Sequence, residues 1–388
     1  MPDAAAPHGA AAGGNTATAR TLARHPKPLG GDPLRKLRPT VSLSGMILNN
    51  REPVAHLQQK RKPEWLKARV PGGAAFRDLK SNIDRHKLHT VCQEAGCPNM
   101  GECWSRGVAT IMILGDTCTR SCGFCNVKSG IPIEVDRDEP RRAAESIRLM
   151  NLKHVVVTSV NRDELRDGGA SIWADLIYRV RESSPNTSIE VLIPDFMGRW
   201  DALQMVIDAR PHIIAHNVET VKRMYPAVRP SARYERSMEL LRRLKEQGVV
   251  AKTSIMVGIG ERESEVHAFM DDLVAMTSDH GGARDPSDPS RGDPCDILTI
   301  GQYLQPTVNH LPIHRWVHPD EFARYEAEGL RRGLKVVQSG PLVRSSYLAD
   351  AQADKLTDIQ QTRRADAAAA AAAGDTEKLA RVNALIGR

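Results

Sequence analysis

The chain has 388 residues, a formal charge of +7 and only 4 % aromatic residues. Its longest apolar runs are far shorter than the ~20 residues that cross a bilayer, so we expect no membrane partner. The basic charge predicts an acidic partner, either a protein or a nucleic acid. We expect a protein and no nucleic acid, because the aromatic residues do not alternate with basic ones as a base-stacking surface requires.

Residues 1–62 are rich in Ala, Gly and Thr and then become basic with few acids, which predicts a disordered basic N-terminal extension. Residues 1–50 contain no apolar run of the kind that a secretion signal carries, so we expect a cytoplasmic protein. Transit peptides are also rich in Arg and poor in acids, so an organelle matrix is the alternative location.

Six of the seven cysteines lie between residues 92 and 125. Clustered thiols in a large chain without a secretion signal indicate metal binding in a reducing compartment rather than a disulfide framework. Cys92, Cys97 and Cys103 lie in the segment 63–103 and supply three thiolates, one fewer than a complete site needs. On their own they fit a small zinc site or an iron–sulfur cluster.

Strands and helices alternate over the predicted core, 104–335. Short apolar, β-branched runs predict strands at 109–114, 154–160, 189–193, 213–216, 252–257 and 297–304. Helices are predicted at 139–150, 171–182, 198–209, 233–247, 261–277 and 319–332. The alternation predicts an α/β fold with a parallel sheet, and six units favour a partial (β/α)6 barrel over an open doubly wound sheet. The stretch 278–295, dense in Asp, Gly, Pro and Ser, is predicted to be an inserted surface loop.

Cys118, Cys122 and Cys125 follow the first predicted strand in a CxxxCxxC spacing, with Phe124 before the last cysteine. Barrel enzymes place their chemistry at this end of their strands. Three thiolates on one loop suit a four-iron cluster in which one iron keeps an open position. Structural zinc sites favour paired CxxC elements and four protein ligands, so zinc is the weaker alternative.

This motif, at the end of a first barrel strand, resembles that of the radical S-adenosylmethionine superfamily. The resemblance implies a 4Fe-4S cluster whose open iron binds the amino and carboxylate groups of S-adenosylmethionine. It also implies that electron transfer into the sulfonium yields a 5′-deoxyadenosyl radical.

The CxxxxCxxxxxC motif just before it resembles the signature of the lipoyl synthase family. The sequence "SGPLVRSSYLAD" at 339–350 is similar to that family's Arg-Ser-Ser-Tyr element. The resemblance covers roughly residues 62–350, outside which lie the long N-terminal extension and an Ala-rich tail at 351–388. It continues through "TSVNRDELRDGGA" (158–170), "AHNVETV" (215–221), "KTSIMVGIGE" (252–261) and "DILTIGQYLQPT" (296–307).

The family resemblance implies that Ser346, with Ser345 as its rival, completes an auxiliary 4Fe-4S cluster together with Cys92, Cys97 and Cys103. The C-terminal segment 336–350 would then close over that cluster. The implied reaction inserts two sulfur atoms at C6 and C8 of a protein-bound octanoyl-lysine, with the auxiliary cluster as sulfur donor.

The implied partners are octanoylated lipoyl carrier domains, namely the E2 subunits of 2-oxoacid dehydrogenases and the glycine cleavage H protein. An external electron donor such as ferredoxin or flavodoxin is also implied. Three other functions fit parts of the pattern: a radical methylthiotransferase, a two-cluster electron carrier of ferredoxin type and a zinc-dependent RNA-binding module.

Polar residues after the predicted strands are candidates to bind S-adenosylmethionine, with ordinary loop hydrogen bonding as the alternative. They are Ser159, Asn217, Glu219 and Ser254. The glycines of "GIGE" (258–261) would let backbone approach a ligand.

The remaining candidates have structural alternatives. Arg162, Asp163 and Asp167 are expected either to contact substrate or to form a salt-bridged loop, and Arg344 to pair with a cluster or a carboxylate. The remaining three, Cys295, His216 and His314, are expected to be structural.

Overall fold

The structure, a computed structural model, describes residues 62–67, 72–105, 110–276, 295–358 and 361. The predicted extension up to 61, the predicted loop from 278 to 294 and most of the Ala-rich tail lie outside these residues.

Eight strands form one sheet in the order β1-β2-β5-β6-β7-β8-β9-β10, and β3 pairs with β4 separately. In chain order the strands are β1 (His89–Thr90), β2 (Thr110–Ile113), β3 (Thr117–Cys118), β4 (Lys128–Ser129), β5 (His154–Ser159), β6 (Ser188–Leu192), β7 (Ile213–Ala215), β8 (Ala251–Val257), β9 (Ile297–Gln302) and β10 (Val336–Gly340). β1 is antiparallel to β2, and every other neighbouring pair in the large sheet is parallel.

The order of the parallel strands follows the chain without reversing. A doubly wound sheet reverses its strand order at a switch point, so that alternative is wrong and the partial barrel is confirmed. All six predicted strands are present, as β2 and β5 to β9. The structure adds β10 as a seventh parallel strand, in a segment where the sequence shows only two consecutive valines before polar residues.

The six predicted helices all occur within two residues of their predicted ends. The α-helices are α1 (Ala74–Arg85), α2 (Val91–Glu94), α3 (Met100–Ser105), α4 (Glu139–Met150), α5 (Ala170–Ser183), α6 (Trp200–Asp208), α7 (Tyr225–Val228), α8 (Tyr234–Glu246), α9 (Glu263–Ala275) and α10 (Pro319–Arg331). Short 3-10 turns lie at Glu64–Leu66, Phe196–Gly198 and Lys222–Met224. A last helix covers 349–358 and crosses the boundary predicted at residue 350.

The two faces of the sheet differ in character. Ile189 and Val191 of β6 are fully buried in the main hydrophobic core beneath the helices. Because side chains alternate along a strand, Glu190 points to the opposite, inner face. There its Oε1 accepts a hydrogen bond from Lys252 Nζ of β8 at 2.7 Å, across β7. The inner face is therefore partly polar.

The last helix covers the inner face at the amino end of the sheet. Its Leu356 packs with Ile213, Ile297 and Val336, which are the first residues of β7, β9 and β10. Burying each such side chain contributes about 1.5–3 kcal/mol. With this end filled, the carboxyl ends of the strands are left as the edge at which loops can form a site.

Candidate active site

The loop that carries Cys118, Cys122 and Cys125 is clamped at its base and along its length. β3 and β4 pair at its two ends, with Cys118 opposite Ser129. Thr119 N donates to the carbonyl oxygen of Asn161 at 3.0 Å, after β5. Gly123 N donates to Val228 O, after β7, and Gly123 O accepts from Leu311 N, after β9, both at 2.9 Å. The loop is thus fixed to three strand ends.

The three thiols of this loop lie close enough to interact. Burial raises the pKa of Cys122 to about 11, and the neighbouring Cys118 adds to that rise. Burial likewise raises the pKa of Cys125 to about 12, with contributions from Cys122 and Cys118. Cys118 Sγ accepts hydrogen bonds from backbone N–H groups, including that of Asn161 at 3.3 Å.

This donor set fits a cluster better than a single ion. A tetrahedral zinc site needs its sulfurs within about 4 Å of each other. Among the described residues, no group of three or more His, Cys, Asp or Glu side chains could hold one metal ion. In a four-iron cluster each thiolate binds a different iron, so the sulfurs need not converge on one point.

Arg120, inside the CxxxC spacing, anchors the loop to the barrel. The side chain is buried, and its Nε donates to Asp163 Oδ2 at 2.7 Å and its Nη2 to Asp195 Oδ1 at 2.5 Å. Arg236 also reaches Asp195, at 3.1 Å. Burial disfavours charge on Asp195, but the hydrogen bonds and charge of Arg120 hold its pKa well below the usual range. The sequence analysis missed Arg120 and Asp195.

The three residues that follow β5 serve the protein itself. Arg162 is buried and donates to Leu114 O and Glu134 O, both at 3.0 Å. Asp163 pairs with Arg120, and Asp167 accepts from Gly169 N at 2.9 Å at the start of α5. These contacts favour the salt-bridged loop over contact with substrate.

Asn217 and Glu219, which follow β7, come together with Ser254 in the middle of β8. Glu219 N donates to Ser254 O at 2.9 Å, and Asn217 Nδ2 donates to Glu219 Oε1 at 3.1 Å. Glu219 has a φ of 70°, which is unfavourable for a residue other than glycine. Burial raises the pKa of Glu219, against the opposing charge of Arg229. Arg229, which the sequence analysis missed, also interacts with Cys122.

Ser159 ends β5, two strands away from this group in the sheet. Its Oγ is buried without a hydrogen-bond partner in the described part of the chain, as are Asn161 Oδ1 and Asn217 Oδ1. Buried polar atoms are nearly always paired. Three such atoms at the strand ends that hold the cysteine loop therefore fit a polar ligand bound at this edge.

The "GIGE" glycines pack within the protein. Glu261 accepts from the backbone N–H groups of Gly258, Ile259 and Gly260 at 2.7, 3.0 and 3.1 Å. A Cβ on Gly258 would lie 2.5 Å from Arg315 O. These amides already have an acceptor, so the glycines are not shown to approach a ligand.

His216 and Cys295 have the structural roles expected of them. The ring of His216 is buried between Ile193 O and Ser237 Oγ, both at 2.9 Å. Cys295 is buried with its Sγ 3.3 Å from Ala251 O. His314 is exposed.

The upstream cysteines lie on two short helices and the link between them. Thr90 caps α2, its Oγ1 accepting from Gln93 N at 3.3 Å, and Cys92 follows in the first turn. Cys97 N donates to Cys92 O at 2.9 Å in the link to α3, which carries Cys103. These turns place the three cysteines on one compact segment.

Residues 341–348, here called the closing segment, return to these helices. Asn99 Nδ2 donates to Leu342 O at 2.6 Å, and Thr110 Oγ1 donates to Ser346 Oγ at 2.9 Å. Burial raises the pKa of Cys92, and hydrogen bonds from Thr110 oppose that rise. The Cys92 thiol and the Ser346 hydroxyl therefore both lie beside Thr110, as a shared site requires.

Two family models match the chain: the radical SAM superfamily at residues 112–273 and the N-terminal domain of lipoyl synthase at 44–97. The chain is 53 % identical over 295 residues to lipoyl synthase of Rubrobacter xylanophilus, covering 76 % of this chain and 87 % of that one. It is 51 % identical over 293 residues to that of Parabacteroides distasonis, covering 76 % and 98 %.

A mitochondrial lipoyl synthase of Nematostella vectensis is 48 % identical over 290 residues, covering 74 % of this chain and 94 % of that protein. Among solved structures, Streptococcus suis SuiB bound to S-adenosylmethionine has a TM-score of 0.45 at 9 % identity, covering 62 % of this chain and 53 % of that one. The family assignment depends on the sequence identities alone. With about half of its residues identical over most of the length of these relatives, the chain belongs to the lipoyl synthase family of radical S-adenosylmethionine enzymes.

Proposed function

We propose that this chain converts a protein-bound octanoyl-lysine into the lipoyl group by inserting sulfur at C6 and C8. The kinship with lipoyl synthases supports the reaction. The observation that carries the site assignment is the hydrogen bond from Thr110 to Ser346, because it seats the C-terminal serine beside the thiol of Cys92.

In this proposal Cys118, Cys122 and Cys125 hold one 4Fe-4S cluster, to which S-adenosylmethionine binds. The auxiliary cluster is held by Cys92, Cys97, Cys103 and Ser346. When bound, S-adenosylmethionine and its cluster supply hydrogen-abstracting radical chemistry, and the auxiliary cluster supplies the sulfur.

The protein's own part is to bind, orient and shield. We propose that Ser159 and Asn217, whose side-chain oxygens have no hydrogen-bond partner in the described residues, bind the cofactor together with Glu219 and Ser254. Arg120 keeps the cysteine loop in position through its two carboxylate partners. The closing segment shields the auxiliary site from water. Unactivated carbons cannot react by acid–base chemistry, so such positioning and exclusion of water are what the chain must provide.

The substrate carriers are proposed to be lipoyl domains of the E2 subunits of 2-oxoacid dehydrogenases and the glycine cleavage H protein. Ferredoxin or flavodoxin is proposed as the electron donor. Among the described residues no helix is long and apolar enough to cross a membrane. A cytoplasmic location is proposed, with an organelle matrix as the alternative; fractionation of cells that express the full chain distinguishes the two.

The reaction is tested by anaerobic reconstitution with iron and sulfide, followed by mass spectrometry of an octanoylated carrier peptide after addition of S-adenosylmethionine and reductant. We expect about eight irons per chain and a product with two added sulfurs. Replacing Cys118, Cys122 and Cys125 by Ala should halve the iron and abolish cleavage of S-adenosylmethionine. Binding of zinc without sulfide would refute the proposal.

The auxiliary ligands are tested separately. A variant with Ala at Cys92, Cys97 and Cys103 should still form 5′-deoxyadenosine but no lipoyl product. Ser346→Ala should lose sulfur insertion while Ser345→Ala retains it, because the hydroxyl of Ser346 is the one that accepts from Thr110 beside Cys92. Loss of insertion in Ser345→Ala alone would move the ligand to that residue.

A further inference from the structure

Arg344 of the closing segment reaches the carboxyl end of β9. Its Nη1 donates to Val343 O at 2.6 Å and lies 3.2 Å from the position that a Cβ on Gly301 would occupy. Gly301 pairs with Met256 of β8 and with Gly340 of β10, near the ends of those strands. The guanidinium therefore lies at the edge of the sheet that carries the site.

The charged neighbours of Arg344 belong to both cysteine sites. Arg344 lies within electrostatic range of Cys97 and Glu219. Cys97 belongs to the upstream motif. Glu219 in turn interacts with Cys122 and Cys125. Arg344 thus lies between the proposed auxiliary ligands and the group around the other cysteine loop.

The guanidinium lacks a carboxylate partner at close range: in the parts of the chain that the structure describes, Arg344 forms no salt bridge. Arg344 is half-buried, and a cation that is partly removed from water is unfavourable unless anionic groups compensate it. Thiolates that bind a cluster are anionic, whereas the octanoyl chain and its lysine amide are neutral. The compensation for this cation is therefore expected from the ligand sets and not from the substrate.

We propose that Arg344 is a positioning residue whose cation compensates the negative charge of the auxiliary cluster and its thiolates, and thereby holds the closing segment over that cluster. The inference rests on the proposed function. Lys would not replace it fully, because the longer planar guanidinium can face Cys97 and Glu219 at once. The position of the closing segment would then depend on whether the auxiliary cluster is bound.

The test uses the full chain with Cys118, Cys122 and Cys125 changed to Ala, which leaves the auxiliary cluster alone. Its midpoint potential is measured by redox titration followed by electron paramagnetic resonance. A nearby cation favours the reduced, more negative cluster, so Arg344→Gln should shift the potential to more negative values. Arg344→Lys should shift it less, and Arg324→Gln, an exposed arginine paired with Glu263, should leave it unchanged.

Hydrogen exchange of residues 341–348 gives a second readout. Exchange should be slower with the cluster bound than without it, and Arg344→Gln should reduce that difference. The inference would be overturned if both Arg344 variants had the same midpoint potential and the same hydrogen exchange as Arg324→Gln. If Arg344→Gln assembles no cluster, the midpoint potential and the hydrogen exchange of Arg344→Lys alone decide the test. A parent protein that assembles no cluster on Cys92, Cys97 and Cys103 would instead count against the proposed function.

Discussion

A single methyl group on Gly301 should displace the closing segment. Gly301 is buried in β9 and paired with β8 and β10, so its backbone is held on both sides. A Cβ there would lie 2.0 Å from Val343 O, whereas real Cβ contacts do not fall below 3.0 Å. Gly301→Ala must therefore push Val343 outward by about 1 Å, at a cost of about 1–3 kcal/mol for overpacking.

That displacement is large enough to matter at Ser346, three residues later. A shift of about 1 Å takes its 2.9 Å contact with Thr110 beyond the distance of a hydrogen bond. Misplacement of a reacting group by about 1 Å can slow a reaction roughly 10²-fold. The loop of Cys118, Cys122 and Cys125, proposed to hold the cluster that binds S-adenosylmethionine, is not touched, so Gly301→Ala should uncouple sulfur insertion from cleavage of S-adenosylmethionine.

The assay is the ratio of lipoyl product to 5′-deoxyadenosine in the same reaction, with iron content measured beforehand. Gly301→Ala should lower this ratio by one to two orders of magnitude. Gly329→Ala is the matched control, because its Cβ would lie 2.8 Å from a side-chain atom of Val337, away from the closing segment. An unchanged ratio in Gly301→Ala with full iron, or an equal fall in Gly329→Ala, would refute the reasoning.

Three further predictions concern the rest of the chain. Arg120→Met should destabilise the protein by about 3–5 kcal/mol, because it removes a buried partner of Asp195, while Arg141→Met, which breaks only an exposed ion pair with Asp138, should leave the melting temperature nearly unchanged; thermal unfolding of both variants checks this. Burial lowers the pKa of His216 to about 4 from its ordinary 6.5, so the unfolded chain takes up its proton first as the pH falls. At pH values below 6.5 the free energy of unfolding should therefore decrease, by about 2 kcal/mol at pH 5. Urea unfolding of His216→Gln should show a weaker dependence on pH. Removal of residues 1–43, which precede both matched family domains, should leave lipoyl formation nearly unchanged, and a large loss with full iron content would contradict this.

The strands and helices of the barrel could be predicted because their signal is local. Strands buried on both faces read as continuous apolar runs, as in "HVVVTS" of β5. Two-residue strands such as Thr117–Cys118 carry no periodicity, and the mixed sequence of Val336–Gly340 gives a weak one. These elements form because neighbouring strands supply their hydrogen bonds. Those neighbours are distant in sequence, so the segment itself carries no signal of them.

The candidate site was likewise predictable only where its signal is local in the sequence. Cysteine spacing reports the chemistry directly, since thiolates must be close in sequence to share a loop. The spacing does not report the contacts that hold the loop, because Asp195 lies 75 residues from Arg120 and belongs to no motif. One signal was available, namely a long cation between two cysteines, Cys118 and Cys122, whose thiols are buried or half-buried. A buried cation there needs carboxylate partners elsewhere in the chain.

The closing segment also bears on how the barrel is completed. The large sheet begins at β1 and β2 and ends at β10, so its two edges do not share a ladder of backbone hydrogen bonds within the described residues. The bond from Thr110 at the start of β2 to Ser346 beyond β10 connects these edges through side chains. Ladder bonds would fix the gap regardless of ligand, whereas each side-chain bond to the closing segment, from Thr110 or from Asn99, contributes only about 0.5–1.5 kcal/mol. With Cys92 and Ser346 as ligands of the proposed auxiliary cluster, the stability of this junction should depend on that cluster, so that filling the site and closing the barrel become one event.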